Sequence, residues 1–375
     1  MANEKKTVRE PSFILALVPI VAMIGFMLYC FRGHSETGYH DAHLPLVMSI
    51  IVACIVGFIC GHSFQEMLAG MVERLAASME AVLILATVGF LVTSFMLSGA
   101  IPTMIVYGLD LLTPKLFLPV GCILCAIVGM ACGSSWTTTA TIGLAFLGIG
   151  AGLGIPAPIT AGMIISGAYV GDKFSPLSDT TNLAAAVAET GLFDHVTAMV
   201  STTGPTLLLS LILYTILGLN VDTSAYDATV AEGIQEAFRS AFTISPILLL
   251  PIIVVIVMCI LRVPGLVGIA ISVATAVVFM LIFQSTDIFY SYSLGDIFDV
   301  LHYGHAVETG NAVADSILGK AKGMDGMMWT INLILVALAY GGALERCGCI
   351  EKLFGGLKHK IHSVGSLILA TLLTS

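Results

Sequence analysis

Residues 171–182 read GDKFSPLSDTTN. The stretch holds two aspartates, a lysine, hydroxyls, an asparagine and a proline. It is preceded by LGIGAGLGIPAPITAGMIISGAYV and followed by LAAAVAETGLF, both strongly apolar. An ionisable residue inside a membrane costs at least about 2.5–3.5 kcal/mol on insertion scales. Such residues therefore point to function unless they sit in a water-exposed loop. The alternation of apolar helix, polar core and apolar segment favours a polar break inside a membrane helix. Pro176 interrupts any helix there.

Composition supports a lipid setting. The chain has 375 residues, 57% hydrophobic and only 10% charged, with mean hydropathy +1.00. A soluble domain carries about 25% charged residues, so this chain cannot cover a globule with solvated charge. A helix needs about 20 apolar residues to cross a bilayer core. Apolar runs fall near 12–31, 44–60, 79–97, 116–132, 136–150, 156–170, 195–219, 243–261, 265–284, 327–344 and from 363 onward. They are continuous rather than alternating, which selects helices over barrel strands. The expected fold is an all-α polytopic membrane protein of ten or eleven hydrophobic segments, forming one transporter domain over 1–375. Segments between 116 and 170 are short and glycine-rich, as discontinuous helices are. Residues 63–80 are amphipathic and suit an interfacial helix. The run from Ser12 is too long for a signal-peptide core and lacks a small-residue cleavage site, so it reads as a retained first span.

Charge suggests orientation. Lys5, Lys6 and Arg9 favour a cytoplasmic N-terminus, and Arg346, Lys352, Lys358 and Lys360 favour a cytoplasmic loop at 346–362. The loops 220–240 and 285–326 are poor in cations and suit the outside. The net charge of −9 reports acidic loops and gives no sign of nucleic-acid binding. Cys122-x-x-Cys125 and Cys347-x-Cys349 have the form of metal or redox pairs. No second pair of zinc spacing accompanies them, so the cysteines read as small apolar helix residues, with no disulfide framework.

A faint internal repeat pairs LSGAIPTMIVYGL (97–109) with LERCGCIEKLFGGL (344–357), and VGCILCA (120–126) with VGSLILA (364–370). It divides the chain into a first half over 60–219 and the start of a second over 243–375, inverted if an odd number of crossings separates them. The first copy continues into GSSWTTTAT (133–141), whereas the second has no matching polar stretch before Ser375. The expectation is a longer protein with a truncated second repeat.

Two polar breaks carry the chemistry. In the first, Gly133 allows the helix to unwind, and the hydroxyls of Ser134, Ser135 and Thr137 can cap the next half-helix or act as hard oxygen ligands for a small cation. The plain alternative is that these hydroxyls bond back to helix carbonyls. Trp136 reads as packing or as a lid. In the second break, Gly171 and Pro176 interrupt the helix. Asp172 and Asp179 can each hold a proton or a cation, Lys173 supplies a counter-charge, and Ser175, Ser178, Thr180, Thr181 and Asn182 complete an oxygen cage. Competition of Na+ (or Li+) and H+ for the Asp172 and Asp179 site is the simplest basis for exchange. Asp110 reads as interfacial, and Glu189, Asp194 and His195 as a solvated loop.

On these residues the sequence resembles the NhaC family of sodium/proton antiporters. The likeness is carried by 133–195, from GSSWTTTATIGL through GDKFSPLSDTTNLAAAVAETGLFDH, with GAIPTMIVYGL (99–109), TGN (309–311) and MMWTINLILVALAYGGALE (327–345). One departure affects the local helix start: where the family pattern often has proline after NLA, this chain has Ala185. The resemblance implies an inner-membrane, multi-pass antiporter exchanging Na+ for H+, with no cofactor. Its partners are then lipid, small cations and, in some members, organic acids such as malate and lactate. It leaves homo-oligomerisation open.

The organic-acid version stands as the alternative, with Lys173 or Arg262 to meet a carboxylate. An intramembrane aspartyl protease is a different class. It would want Gly-x-Gly-Asp, whereas Tyr169, Val170 and Gly171 precede Asp172. The chain therefore reads as a transporter and not an enzyme.

Overall fold

The computed structural model describes residues 8–32, 41–175, 178, 180–181, 184–185, 190–220, 228–261, 263–284, 294–319 and 321–358. All regular structure among them is helical. In chain order these are α1 (Phe13–Phe31), α2 (His43–Ile59), α3 (Phe64–Ala77), α4 (Met79–Leu97), α5 (Ala100–Leu111), α6 (Pro114–Cys132) and α7 (Ser135–Thr138). A π-helical turn (Thr139–Gly143) leads into α8 (Leu144–Gly152). Then come α9 (Ala157–Phe174), α10 (Leu192–Leu219), α11 (Ala228–Ala241), α12 (Leu250–Ile260), α13 (Gly265–Phe283), α14 (Leu294–Tyr303), α15 (Ala312–Leu318), α16 (Asp325–Arg346) and α17 (Cys349–Lys358).

The apolar runs expected between 12 and 344 fall largely on helical backbone. The run from 363 lies outside the described residues. Four described helices are long and apolar enough to cross a membrane: Phe13–Phe31, Leu192–Leu219, Leu266–Phe283 and Asp325–Arg346. Counting each bent helix pair as one span raises this to six. One such pair, Thr229–Ala241 with Pro246–Met258, turns by 90°. Other apolar helices, including α2 and α5, are too short to cross alone.

The chain divides into two compact units, one of residues 1–83 and 328–375, the other of residues 84–327. In the first, α1 packs on α2 and α17, and α2 packs on α3. Their shared core includes Ala53, Val56, Met67, Ala343, Cys347 and Cys349. The amphipathic 63–80 stretch forms α3. It opens on a capping box, in which Ser63 Oγ accepts from the Glu66 amide (3.2 Å) and Glu66 Oε2 from the Ser63 amide (2.8 Å). The Tyr340 hydroxyl is buried and donates to the Pro19 carbonyl in α1 (3.0 Å). A buried phenol needs such a partner, and this one ties α16 to α1.

In the second unit the α6–α9 pair is central, with α10, α12, α7 and α8 packed around it. Small residues set the approach of α6 and α9. A Cβ at Gly167 would meet the Cys122 carbonyl, and one at Gly171 the Ala126 carbonyl, with the Met130 amide nitrogen at 2.7 Å. Backbones this close require residues without side chains, as in small-residue membrane interfaces. The contacts advance together along both helices: Gly121 meets Met163, Cys122 and Cys125 meet Gly167, and Ala126 and Met130 meet Gly171. The two helices therefore run parallel.

Gly171 is thus not a helix break, contrary to the sequence expectation. It lies inside α9, which continues to Phe174 and gives way to extended backbone at Ser175. Its lack of a side chain serves packing rather than unwinding. Elsewhere in the unit, Gln284 donates to the Ser98 carbonyl (2.8 Å) and accepts from the Thr243 amide (3.0 Å). It thereby ties the α4–α5 break to the bend after α11.

Candidate functional site

The first polar break follows from backbone geometry. Gly133 adopts φ +63°, a left-handed conformation that favours glycine. It ends α6, and Ser134 at extended angles starts α7. Ser134 Oγ accepts from the Thr137 amide (3.2 Å) and from the Thr137 hydroxyl (3.1 Å). Thr138, Thr139 and Thr141 return their hydroxyl protons to the carbonyls of Ser134 (2.9 Å), Ser135 (2.8 Å) and Thr137 (2.7 Å). The cap at Ser134 and the return of the Thr138, Thr139 and Thr141 protons to helix carbonyls both serve the backbone here. The backbone then widens into the π turn at 139–143, a form frequent at functional sites. Ser135 and Thr137 are buried, whereas Trp136 is 57% exposed, which does not suit internal packing.

From there α8 runs back toward the start of α9. Gly143 faces Ile164, and Gly150 faces Thr160. The chain turns into α9, which descends beside α6 and ends at Ser175. The two breaks, at Gly133 and Ser175, therefore lie at the same end of the parallel α6–α9 pair, and α7 packs on α9.

At the second break Asp172 is 6% exposed, in the last turn of α9. Among the described residues its carboxylate forms no salt bridge. The Lys173 ammonium donates to the Thr180 hydroxyl (3.3 Å) rather than to Asp172. Ser175, Ser178 and Thr181 are buried, and Thr180 is exposed. The Thr181 hydroxyl lies 3.4 Å from the Asp172 carbonyl and 3.3 Å from that of Lys173, and so caps the end of α9. Ser178 Oγ accepts from the Thr181 amide (3.3 Å) and shares a hydrogen bond with Thr180 (3.0 Å). Asp179, Pro176 and Asn182 lie outside the described residues, as do Glu189 and Arg262. Asp194 is exposed in the first turn of α10, where a negative charge suits the helix dipole.

Among the described residues, no three His, Cys, Asp or Glu side chains form a group able to hold a metal ion. Among the described residues, this end of α9 offers one buried carboxylate together with hydroxyl and carbonyl oxygens, a hard donor set.

Asp110 is exposed at the end of α5. It accepts from Gln235 Nε2 (2.8 Å) and faces Arg239 (3.7 Å). Those partners on α11 are distant in sequence and gave no local signal. Thr103, inside α5, is fully buried, and its hydroxyl has no hydrogen-bond partner among the described residues. Nothing in the sequence distinguishes it from other helix threonines.

An all-helical, apolar chain with several spanning helices and broken helices that bury hydroxyls and a carboxylate is a multi-pass membrane protein. A model of the Na+/H+ antiporter family matches residues 167–375. The chain is 34% identical over 335 residues to the Na(+)/H(+) antiporter NhaC of Alkalihalophilus pseudofirmus, covering 89% of this chain and 71% of that one. It is 34% identical over 368 residues to the arginine/ornithine antiporter ArcD of Halobacterium salinarum, covering 97% and 74%. It is 31% identical over 370 residues to the malate-2H(+)/Na(+)-lactate antiporter of Bacillus subtilis, covering 99% and 77%. No solved structure matches the chain. The chain belongs to the Na+/H+ antiporter family.

Proposed function

We propose that this protein is a secondary active transporter of the cell membrane that exchanges Na+ for H+. The observation that carries this reading is Asp172, a carboxylate buried at the end of α9, where the Thr181 hydroxyl lies 3.4 Å from its backbone carbonyl and the buried Ser175 and Ser178 follow it in the chain. The Gly133 break lies at the same end of the helix pair. A buried carboxylate is costly as a bare anion. It is neutralised either by a proton or by a cation, and the two compete. With hydroxyl and carbonyl oxygens to replace water, Na+ is bound when the proton leaves, and the proton displaces Na+ on return. Asp179 and Asn182 extend the oxygen set in this reading, with Ser134, Ser135 and Thr137 facing the ion from the first break. Lys173 sets the local charge through the turn that holds Thr180.

The same reading places the N-terminus and the 346–362 loop in the cytoplasm, by their lysines and arginines. It also treats 60–219 and 243–375 as two related halves. Relatives named for malate/lactate and for arginine/ornithine exchange support a second reading, in which an organic ion is carried in place of, or together with, Na+.

The test uses everted vesicles carrying the protein, acidic inside, with a pH-sensitive dye. Added NaCl should collapse the gradient in the parent, and neither Asp172→Asn nor Asp179→Asn should respond. Collapse by an organic acid and not by NaCl would shift the substrate to that acid. Normal exchange in both variants would remove the aspartates from the site.

A further inference from the structure

The turn between α16 and α17 brings two thiols together. The local sequence is Arg346-Cys347-Gly348-Cys349. Cys347 and Cys349 are both 0% exposed and belong to the core of the first unit. Their sulfur atoms are 3.1 Å apart, joined by an S–H···S hydrogen bond. Cys347 Sγ is also 3.3 Å from the Leu344 carbonyl. Gly348 takes φ +72°, a left-handed conformation that folds the chain back and turns both side chains to one side. The two Cα atoms are at most about 7.6 Å apart, because consecutive Cα atoms are 3.8 Å apart. A disulfide needs Cα atoms about 4.4–6.8 Å apart and sulfurs at about 2.05 Å, so closure asks for roughly 1 Å of sulfur movement. The Cys122-x-x-Cys125 pair, on the interior of α6, shows no such contact.

We propose that Cys347 and Cys349 form a reversible redox pair, a modification site for small peroxides. The hydrogen shared between the two sulfurs lowers the Cys347 thiol below its ordinary range and raises that of Cys349. This makes Cys347 the thiolate that attacks first. In the first step its sulfur attacks one oxygen of hydrogen peroxide. The O–O bond breaks, Cys347 becomes a sulfenic acid, and the other oxygen leaves as hydroxide. In the second step the Cys349 sulfur attacks the sulfenic sulfur. The S–S bond forms and the S–O bond breaks, and the Cys349 proton joins the hydroxyl to leave as water. Overall, two thiols and one peroxide give one disulfide and two waters, the sulfur pair losing the two electrons that the peroxide gains.

Burial gives this pair its selectivity. Sulfurs with no exposed surface are reached only through small openings of the turn, which admit peroxide, a molecule close to water in size, and not a bulky disulfide such as oxidised glutathione. Once Cys347 is a sulfenic acid, Cys349 is already in contact, so ring closure precedes further oxidation. On the orientation proposed above the turn faces the reducing cytoplasm, where the resting form is the dithiol.

The test uses the protein in native membranes. Vesicles are treated with peroxide, quenched, denatured, alkylated and digested with trypsin, which cuts after Arg346 and Lys352. The peptide Cys347–Lys352 then contains this pair and no other cysteine. The expected product is lighter by two hydrogens, carries no alkyl group, and regains two alkylation sites after dithiothreitol. The peptide with Cys122 and Cys125 should remain fully alkylated. In Cys349→Ser the sulfenic acid at Cys347 should be trapped by dimedone. In Cys347→Ser, trapping at Cys349 should be slower by at least about tenfold, following thiolate fraction and nucleophilicity. Two alkyl groups on the peptide after peroxide would overturn the proposal. So would oxidation that appears only once detergent has unfolded the protein. Equal trapping in the two variants would overturn the assignment of Cys347 as the attacking thiol.

Discussion

Replacing Gly171 by alanine tests the α6–α9 packing that positions Asp172. The added methyl would meet the Ala126 carbonyl, with the Met130 nitrogen at 2.7 Å and the Gly129 carbonyl carbon at 2.9 Å. All three are backbone atoms, so none can swing aside and the helices must separate. Overpacking costs about 1–3 kcal/mol, and backbone neighbours put this site at the upper end. Alanine regains about 0.8–1.0 kcal/mol of helix propensity over glycine. The net expectation is a loss of about 2 kcal/mol. Gly162, on the same helix, is different: among the described residues a methyl there would have only the Tyr214 hydroxyl near it, at 3.6 Å, an ordinary contact. Gly162→Ala should keep most of the propensity gain and stabilise by roughly 0.5–1 kcal/mol. The two variants should therefore differ by about 3 kcal/mol, more than a hundredfold in the unfolding equilibrium. The assay is reversible unfolding of the purified protein in mixed micelles as the denaturing detergent fraction rises, followed by circular dichroism. Equal midpoints for Gly171→Ala and Gly162→Ala would refute the close approach of α6 and α9, and with it the placement of both breaks at one end.

Two other sites make sharp predictions. Asp41 accepts from His43 Nδ1 (2.6 Å) and from the Trp329 indole (2.9 Å), and chiefly the His43 bond holds its pKa down to about 2. A depressed carboxylate stabilises fully above its ordinary value of 3.8 and loses that contribution as pH falls through about 2. In a Trp136→Phe background, Trp329 emission should titrate near pH 2, and adding His43→Phe should raise the midpoint toward 3.8. An unmoved midpoint would exclude His43 as the cause. At the first break, Ser134→Ala removes the α7 cap and should cost about 1 kcal/mol in thermal or detergent unfolding. No loss would mean that Ser134 does not start the half-helix.

Much of the fold was legible because apolar length and continuity report directly on what solvates a helix. The spans near 12–31, 195–219, 265–284 and 327–344 correspond to long helices in the structure. The break at Gly133 was legible for a local reason: a left-handed residue followed by a serine cap is written in adjacent positions. Gly171 carries a similar signature with a different meaning. A glycine next to an aspartate and near a proline looks the same whether the chain unwinds or another helix presses against it. Only the Ala126 carbonyl and the Met130 amide, far away in the chain, decide between the two.

The sequence by itself determined that the chain lives in lipid as helices and that 171–182 is a polar interruption, because composition and local chemistry need no partner to be read. Tertiary structure decided the rest. It set α6 and α9 parallel and brought the ends at Gly133 and Ser175 together. It paired Lys173 with Thr180, buried Asp172, and pressed the thiols of Cys347 and Cys349 into contact. Each of these depends on how close two backbones can come or how a turn folds back on itself. Those distances are set by packing, which hydropathy along the chain does not encode.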